Sequence, residues 1–354
     1  MKVGIFGDIH VYKHGSKSIF EDVAIDFIYA YTKLLLKWGI DTSWFLGDFF
    51  HIKSKLFVPT FIRVFDALEN MTNSGIKSTF LIGNHDMPFM DSTEFSIMHS
   101  FRHYGEVVQQ YQWKDVDNCR VHFLSYTHQL PSFDMSKTKK NVLIAHLDVK
   151  GFSMDGQISE EGFDAAQLKD FDLVISGHYH KHQFLGNIVY CGSPYQTRYS
   201  ERFDGKGFMV FDTLDASWEF KRYEASPTFQ EVSIVDIDES KVKGKFIRIK
   251  TIKGDAGLPA LKAKLLDAGA YSVDFIYEAS ETTANLESVG ELNMGDLGTL
   301  ASNYLDAMIT QNLMDDPIQG MLASGEVTRD EILDVFKEIN EAVLTGWTAK
   351  EEMA

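Results

Sequence analysis

The chain has 354 residues, 44% of them hydrophobic and 24% charged, with a formal net charge of −17. No run of about 18 apolar residues is available to span a membrane. A field of this sign argues against holding nucleic acid by overall charge, though not against a nuclease whose metals and local basic patches contact phosphate. The length suits one large core or two to three domains of roughly 100–200 residues each. Met1 leads straight into an apolar strand without the basic and apolar regions of a signal peptide, so the cytoplasm is the expected location. Cys119 and Cys191 lie in strand-like segments, far from the His and Asp runs, and are expected to be small buried apolar residues.

Val3 to Phe6 reads as a strand and ends in Gly7-Asp8-Ile9-His10. A helix is expected over Ile19 to Trp38, where Phe20, Val23, Phe27, Tyr31, Leu34 and Leu35 recur at helical spacing and Gly39 stops it. Thr42 to Leu46 is a second strand running into Gly47-Asp48-Phe49-Phe50-His51, and Val58 to Met71 a second helix. Ser78 to Ile82 is a third strand, ending in Gly83-Asn84-His85-Asp86, and a third helix is expected over Ser92 to His103. Strands then follow one another at Arg120–Ser125, Val142–Ala145, Leu173–Ser176, Gln183–Cys191, Phe208–Phe211 and Trp218–Tyr223. Two of them end in further runs, Ala145-His146-Leu147-Asp148 and Gly177-His178-Tyr179-His180. Strand–helix alternation giving way to consecutive strands predicts an α/β (α+β) fold with two sheets packed face to face and helices outside.

A boundary falls near 225–240, where Ser226-Pro227 and a polar stretch interrupt the apolar pattern. The expected division is 1–230 for the main domain, 231–280 for a small α/β cap, 281–295 for a linker and 296–354 for terminal helices. In the cap, Lys245 to Lys253 alternates, with Ile247 and Ile249 on one face and Arg248 and Lys250 on the other. Leu258 to Leu266 is helical and Tyr271 to Tyr277 a strand. Residues 241–253 hold six Lys or Arg and no Asp or Glu, either a DNA-contacting patch or the solvated face of an antiparallel sheet. The terminal helices, one with Leu297, Leu300, Leu305 and Met308, the other opening on the capping box Thr328 to Glu331, have little core of their own. They either fold back on the chain or fill a partner's groove, and a partner is the reading preferred here.

Each of the five ligand-type runs ends an apolar strand, where open α/β sheets place their chemistry. A single Asp in a turn or a lone His is more often structural than a ligand. Five such runs in one order supply two Asp, one Asn and four His, a mixed N/O set that suits two divalent transition metals and suits Ca²⁺ poorly. A two-metal site needs one bridging carboxylate, for which Asp48 is the candidate, and second acceptors for its imidazoles, for which Asp86 is available.

In order and spacing these runs resemble the calcineurin-like metallophosphoesterases. Within that superfamily the likeness is closest to the nuclease subunits of the SbcC–SbcD double-strand-break-processing complexes, those of bacteriophage recombination endonucleases included. Gly47-Asp48-Phe49-Phe50-His51, Gly192-Ser193-Pro194-Tyr195 and Gly207-Phe208-Met209-Val210-Phe211-Asp212 carry it, and it covers roughly residues 1–225. The resemblance implies one ion held by Asp8, His10, Asp48 and His180, and another by Asp48, Asn84, His146 and His178. It implies that His85 protonates the leaving oxygen or stabilises the transition state, that His51 lies near the phosphate, and that water activated by the ions attacks. It further implies Mn²⁺ in preference to Mg²⁺, and exonuclease and endonuclease activity on double-stranded ends and single strands during recombination, repair and replication. A homodimer is implied too, with Phe57, Val58, Phe61 and Ile62 as an apolar face, as is an SbcC-type coiled-coil ATPase docked on the C-terminal helices. No Gly-x-x-x-x-Gly-Lys-[Ser/Thr] run is present for ATP hydrolysis in this chain.

Two other readings compete. A phosphoesterase acting on a small molecule or a protein would resemble the phosphatases of this fold, but their Gly-Asp-x-x-Asp-Arg-Gly is replaced here by Gly47-Asp48-Phe49-Phe50-His51-Ile52-Lys53. A non-catalytic scaffold would have lost ligands, and none is missing. Lys53, Arg198 and Arg202 lie near the motif loops, where ordinary surface charge is the plainer account. His14, His99, His103, His122, His128 and His182 are read as structural or surface residues, with His182 a possible neighbour of the site.

Overall fold

The computed structural model describes residues 1–12, 19–51, 57–89, 92–154, 156–252 and 257–278. Contacts divide the chain into two units, Met1–Glu278 and Ala279–Ala354. The expected linker and terminal helices at 281–354 lie outside the described residues, as do His14 and Lys53.

The chain begins β1 (Lys2–Phe6), α1 (Ile19–Lys37), β2 (Thr42–Phe45), α2 (Val58–Asn73), β3 (Lys77–Leu81) and β4 (Gly105–Val108). It continues with β5 (Tyr111–Val116), β6 (Cys119–Leu124), β7 (Lys140–His146), the short β8 (Ser153–Met154) and β9 (Gln157–Ile158), and β10 (Leu173–Gly177). β11 (Gln183–Leu185), β12 (Ile188–Tyr190), β13 (Gly207–Asp212) and β14 (Ser217–Arg222) complete the main body. The last part holds β15 (Thr228–Ser233), β16 (Lys245–Ile252), α3 (Leu258–Asp267) and β17 (Ser272–Glu278).

Two six-stranded sheets form the body, in the orders β14-β13-β1-β2-β3-β4 and β11-β12-β10-β7-β6-β5. β1 through β4 are mutually parallel, as are β6, β7, β10 and β12. The alternation in β1 explains how they stack. Val3 and Ile5 point inward, where they meet Trp44, Leu81, Val121, Phe123, Val142, Ile144, Ile175 and Phe211 from both sheets. Phe6 faces outward with Phe45 and Phe80 to meet Phe27, Tyr31 and Leu35 of α1 and Val64 and Leu68 of α2. On the far side Leu143, Val174 and Tyr190 pack under Leu168 and Phe171. Acidic Glu21 and Asp22 in its first turn and Lys37 in its last suit the dipole of α1. The buried Glu21 ties it to α2 by accepting from Thr60 at 2.7 Å and Arg63 at 2.5 Å.

The last part of the first unit is a three-stranded parallel sheet, β15-β16-β17, over Val242, Ile247, Ile249, Leu265 and Val273. Its basic strand is therefore the centre of a parallel sheet rather than part of an antiparallel one. Its edge strand starts at Thr228, so a boundary at 230/231 would cut through β15.

Two expected elements differ. The helix over Ser92–His103 is instead a 3₁₀ helix, Ile97–His103. Its buried Met98 and Phe101 are three residues apart, a spacing that suits the tighter helix, and Thr93 accepts from Ser96 N–H in the turn before it. The strand expected over Gln183–Cys191 is a hairpin, β11 and β12, because Gly186 (φ +60°) with Asn187 turns the chain.

The buried Phe123 ring meets Trp44 edge-on, centroids 5.1 Å apart, where the two sheets join. Phe123→Ala is expected to cost about 3–5 kcal/mol in chemical denaturation. A change below about 1 kcal/mol would mean that the two sheets do not share this core.

Candidate metal centre

The five motif runs leave the ends of β1, β2, β3, β7 and β10 and converge. Main-chain bonds join the first two loops: Asp8 N–H donates to Gly47 O (2.9 Å), His10 to Asp48 O (3.1 Å) and Val11 to Phe49 O (2.8 Å). Asp86, from the third loop, is the clasp for the second. Its carboxylate accepts N–H groups from Asp48 (2.8 Å), Phe49 (2.8 Å), Phe50 (3.2 Å) and Gly83 (2.9 Å). This differs from the expected support of an imidazole: Asp86 holds backbone, because burial among four converging N–H donors makes it their common acceptor. Burial and the Asp48 charge push its carboxyl up to about 7, while those N–H groups pull the other way.

Glycine is required where these loops touch. A Cβ on Gly83 would lie 2.2 Å from Asp48 Oδ1, and one on Gly47, whose φ is +102°, would lie 2.6 Å from His146 Nδ1. The ligand-type residues themselves are bent into the left-handed region: φ is +52° at Asp8, +42° at His10, +60° at Asp48 and +97° at His178. Such conformations cost on the order of 1–3 kcal/mol each and persist where surrounding structure enforces them.

The side chains gather in three groups, each with its ligand atoms within 4.8 Å of one another: Asp8, His10 and His180; Asp48, His146 and His178; and His10, His51 and His85. Asp48 lies between the first two, its Oδ2 3.7 Å from His10 Nε2 and 3.5 Å from His146 Nε2. Asn84 Oδ1 is 3.0 Å from His146 Nε2 and 3.1 Å from His178 Nδ1. Asp8 Oδ1 accepts from His178 N–H at 2.9 Å, and Asp48 Oδ1 from His85 N–H at 2.8 Å. All nine residues expected at the site are thus brought to one place. Seven of them, all but Asp8 and His146, line an open cleft of about 640 Å³ that Arg198 also lines. Arg202 instead lies over Phe203, and His182 stacks on Phe220 with its Nδ1 2.8 Å from Tyr190 O, away from these groups.

The donor chemistry fits cations. His146 Nδ1 is 2.7 Å from the Leu46 carbonyl, which accepts only, so Nδ1 carries the hydrogen. In a neutral imidazole Nε2 then turns a lone pair toward Asn84 Oδ1 and Asp48 Oδ2, an arrangement that is repulsive unless a proton or a metal ion lies among them. Burial opposes that proton, but the Asp48 charge outweighs it and raises His146 to about 9. Burial and His146 push His178 down to about 3, and burial with His180 holds His10 well below the usual range, so both present lone pairs. Burial works against ionisation of Asp48, yet His146 keeps its carboxyl well below the carboxylate range. Among the described residues, Asp8 Oδ2 and His10 Nδ1 are buried without a hydrogen-bond partner.

One supporting residue escaped sequence reasoning. Buried Glu201 accepts from His180 Nδ1 (2.9 Å), Thr197 N–H (2.8 Å) and Lys206 Nζ (3.1 Å), fixing the tautomer that leaves His180 Nε2 toward the site. Lys206, 5% exposed, also donates to His180 O and Ser193 Oγ. An acidic residue between Ser200 and Arg202 in a short turn has no periodicity or motif to mark it. Glu201→Gln would leave the buried Lys206 with the more distant Asp204 carboxylate, 3.9 Å away, as its counter-charge, an expected loss of about 3 kcal/mol. Adding Lys206→Met should recover part of it in urea unfolding, and additive losses would show that the pair is not coupled.

Comparisons with known proteins give the family. The calcineurin-like phosphoesterase family model matches residues 1–182, half of the chain. Exonuclease subunit 1 of Enterobacteria phage T4 is 23% identical over 230 residues, covering 62% of this chain and 67% of that protein. Two solved structures are similar at low scores. An archaeal phosphodiesterase has 12% identity and a TM-score of 0.36, over 63% of this chain and all of that one. A dimetal phosphatase from Danio rerio has 11% identity and a TM-score of 0.35, over 59% and 91%. The family assignment rests on the model match and not on these two. The fold of this family typically binds two divalent metals, and the chain, with its three His/Asp groups at the strand ends, belongs to the calcineurin-like phosphoesterases.

Proposed function

We propose that the protein is a Mn²⁺-dependent DNA nuclease, exonuclease and endonuclease, that hydrolyses phosphodiesters at two metal ions and works with an SbcC-type ATPase on DNA ends. The observation that carries this reading is the position of Asp48 Oδ2 between His10 Nε2 and His146 Nε2, 3.7 and 3.5 Å away, with the His10/His51/His85 group beside it. Asp8, His10, Asp48 and His180 would hold one ion, and Asp48, Asn84, His146 and His178 the other, with Mg²⁺ a poorer occupant of so His-rich a set. Bound there, the ions would activate water and offset charge on the phosphate. The phage T4 relative is named as an exonuclease subunit, which favours DNA over other phosphoesters.

The chain's own residues divide the remaining work. His85 Nδ1 lies 2.9 Å from the His51 carbonyl, which accepts its hydrogen, so Nε2 is the atom left to hold a proton for the leaving oxygen. His51 lies close behind, and burial with the nearby His85 lowers its pKa. Arg198, on the cleft wall, is placed to meet a phosphate, its Nε 3.3 Å from Glu201. The small sheet would be a DNA-contacting cap. Arg248 covers the Tyr199 ring at 3.7 Å beside the cleft, while Lys250 is paired with Glu231 at 2.8 Å.

Phe57, Val58 and Ile62 are exposed at the start of α2, an apolar face suited to a homodimer. Phe61, expected in that face, packs inward on Phe65 with ring centroids 4.1 Å apart. Among the described residues no helix is long and apolar enough to cross a membrane, and the cytoplasm, a bacterial host's for a phage protein, is the proposed setting.

In Mn²⁺ the protein should degrade linear duplex DNA and leave simple phosphomonoesters largely intact, with activity lost in EDTA and restored by Mn²⁺. His85→Asn should lower cleavage by roughly 10²-fold or more without changing the Mn²⁺ dependence of thermal stability. Ready monoester hydrolysis with intact DNA would favour a phosphatase. Deleting residues 296–354 should preserve metal-dependent cleavage and abolish pull-down of the ATPase subunit. Retained association would place the docking surface elsewhere.

A further inference from the structure

Most aromatic pairs in the core cross at steep angles: Trp44 and Phe123 at 89°, Phe49 and Phe101 at 78°, Phe6 and Phe27 at 63°. This is the edge-to-face preference of rings that carry a quadrupole. Isolated pairs such as His182 and Phe220 depart from it, and one connected set does so over several rings. Phe229 of β15 and Phe246 of β16 lie 4.4 Å apart at 8°, and Phe246 and Phe20 of α1 are 5.0 Å apart at 5°. Phe20 and Tyr12 follow at 5.2 Å and 12°, Tyr12 and His51 at 4.6 Å and 33°, and His51 and His85 at 5.6 Å and 19°. These contacts join six rings in series from the small sheet to the metal centre, bent at Phe246, since Phe229 and Phe20 are themselves 6.3 Å apart at 13°, and tilted at the Tyr12–His51 step.

The two ends of the column differ in how firmly they are held. Phe229 and Phe246 are each 7% exposed and seated on strands. His85, on the 3₁₀ turn Asn84–Asp86, and His51, on a loop, line the open cleft. His85 is steered twice by His51, through the ring stack and through the carbonyl that accepts its Nδ1–H. His51 in turn is held through Val11, whose carbonyl accepts the His51 N–H at 3.3 Å, and by the ring of Tyr12, the next residue. Tyr12 is stacked on Phe20, and Phe20 on the small sheet. Losing an inner ring therefore removes one of the contacts on these imidazole planes, which His10 also meets edge-on, His51 at 5.5 Å and His85 at 4.8 Å.

We propose that Tyr12, Phe20 and Phe246 are positioning residues for the leaving-group side of the reaction: the column sets the planes of His51 and His85, so the seating of the small sheet on the main body determines where His85 Nε2 points. The inference rests on the reading of His85 as proton donor. In the step concerned, a water oxygen bonds to phosphorus and releases its proton to solvent. The P–O bond to the leaving oxygen breaks, and that oxygen takes the proton held at His85 Nε2. A misdirected Nε2 slows this transfer and leaves binding of the phosphate and the ions unaffected.

Leaving-group dependence tests the role, because a phenolate leaves without a proton and an alkoxide does not. The full-length protein in Mn²⁺ would be assayed on thymidine 5′-p-nitrophenyl phosphate and on a thymidine dinucleotide. Phe246→Leu and Phe20→Leu keep apolar bulk and remove the ring plane, and the half-buried Phe20 offers a second variant should Phe246→Leu not fold. Both should lower kcat on the dinucleotide roughly tenfold, a fraction of the 10²–10⁴ of a general acid. On the p-nitrophenyl ester the change should stay within about twofold, with KM and the Mn²⁺ titration midpoint unmoved, and Phe246→Tyr should retain dinucleotide activity. Equal losses on both esters, a shifted Mn²⁺ midpoint, or no loss in either Leu variant would overturn the proposal. His85→Asn separates the two levels. Selective loss there, without it in the Leu variants, removes the column and keeps the proton donor; equal loss on both esters in His85→Asn removes both.

Discussion

The centre of this molecule brings lone pairs together among largely buried side chains at the floor of the cleft. Asp8 Oδ2, Asp48 Oδ2, Asn84 Oδ1 and imidazole nitrogens of His10, His146, His178 and His180 lie within contact or near-contact of one another. Acceptors at such distances repel unless positive charge lies among them, and burial makes the repulsion stronger than it would be in water. The fold resists it by holding the backbone of each loop. Asp86 gathers four N–H groups, Leu46 and Glu201 take the outer hydrogens of two imidazoles, and the loops after β1 and β2 run as a short ladder. Four ligand-type residues at positive φ show the conformational cost of this convergence.

Topology makes the convergence possible. The parallel strands of each sheet direct their carboxyl ends to one edge, and stacking the two sheets brings both edges together. β1, β2 and β3 contribute the Asp8/His10, Asp48/His51 and Asn84/His85 loops, while β7 and β10 of the facing sheet contribute His146, His178 and His180. The bond from His146 Nδ1 to Leu46 O and the one from His178 N–H to Asp8 Oδ1 cross between sheets at this edge. The site is therefore also a fastening between the two halves of the core, and its preorganisation depends on the same Trp44–Phe123 packing that stabilises the fold.

The parts of this arrangement that were legible in the sequence are those encoded locally. Alternating apolar residues in β1, helical spacing in α1 and the Gly-Asp and Gly-Asn-His runs act over a few positions, so both the strands and their ligand-type ends could be read. What escaped depends on distant partners. β4 and β5 carry half-exposed, mixed sequences whose strand character comes from pairing with β3 and β6. β15 has its apolar residues Phe229 and Val232 three apart, without strand alternation, follows Ser226-Pro227 and gains its meaning from a parallel partner at Lys245–Lys250. Glu201 and the Leu46 carbonyl support imidazoles 21 and 100 residues away, and nothing in their own neighbourhoods marks that use. Asp86 was visible as an acidic residue, but its four main-chain partners were not.

The aromatic column adds a different kind of connection to this centre. The ligand-type residues are held by hydrogen bonds, which fix atoms within a few tenths of an ångström and act between neighbours. His85 and His51 have fewer such anchors, and stacked rings hold planes rather than points. A stack yields to a small shift of its far end more readily than a bonded loop does, because each ring pair contributes only about 0.5–1.5 kcal/mol. With the roles proposed above, the metal-holding half of the site would be insulated from the seating of β15–β17, and the proton-holding half coupled to it. A nucleic acid that presses on the small sheet would act on the step in which the leaving oxygen departs, without disturbing the groups that hold the ions.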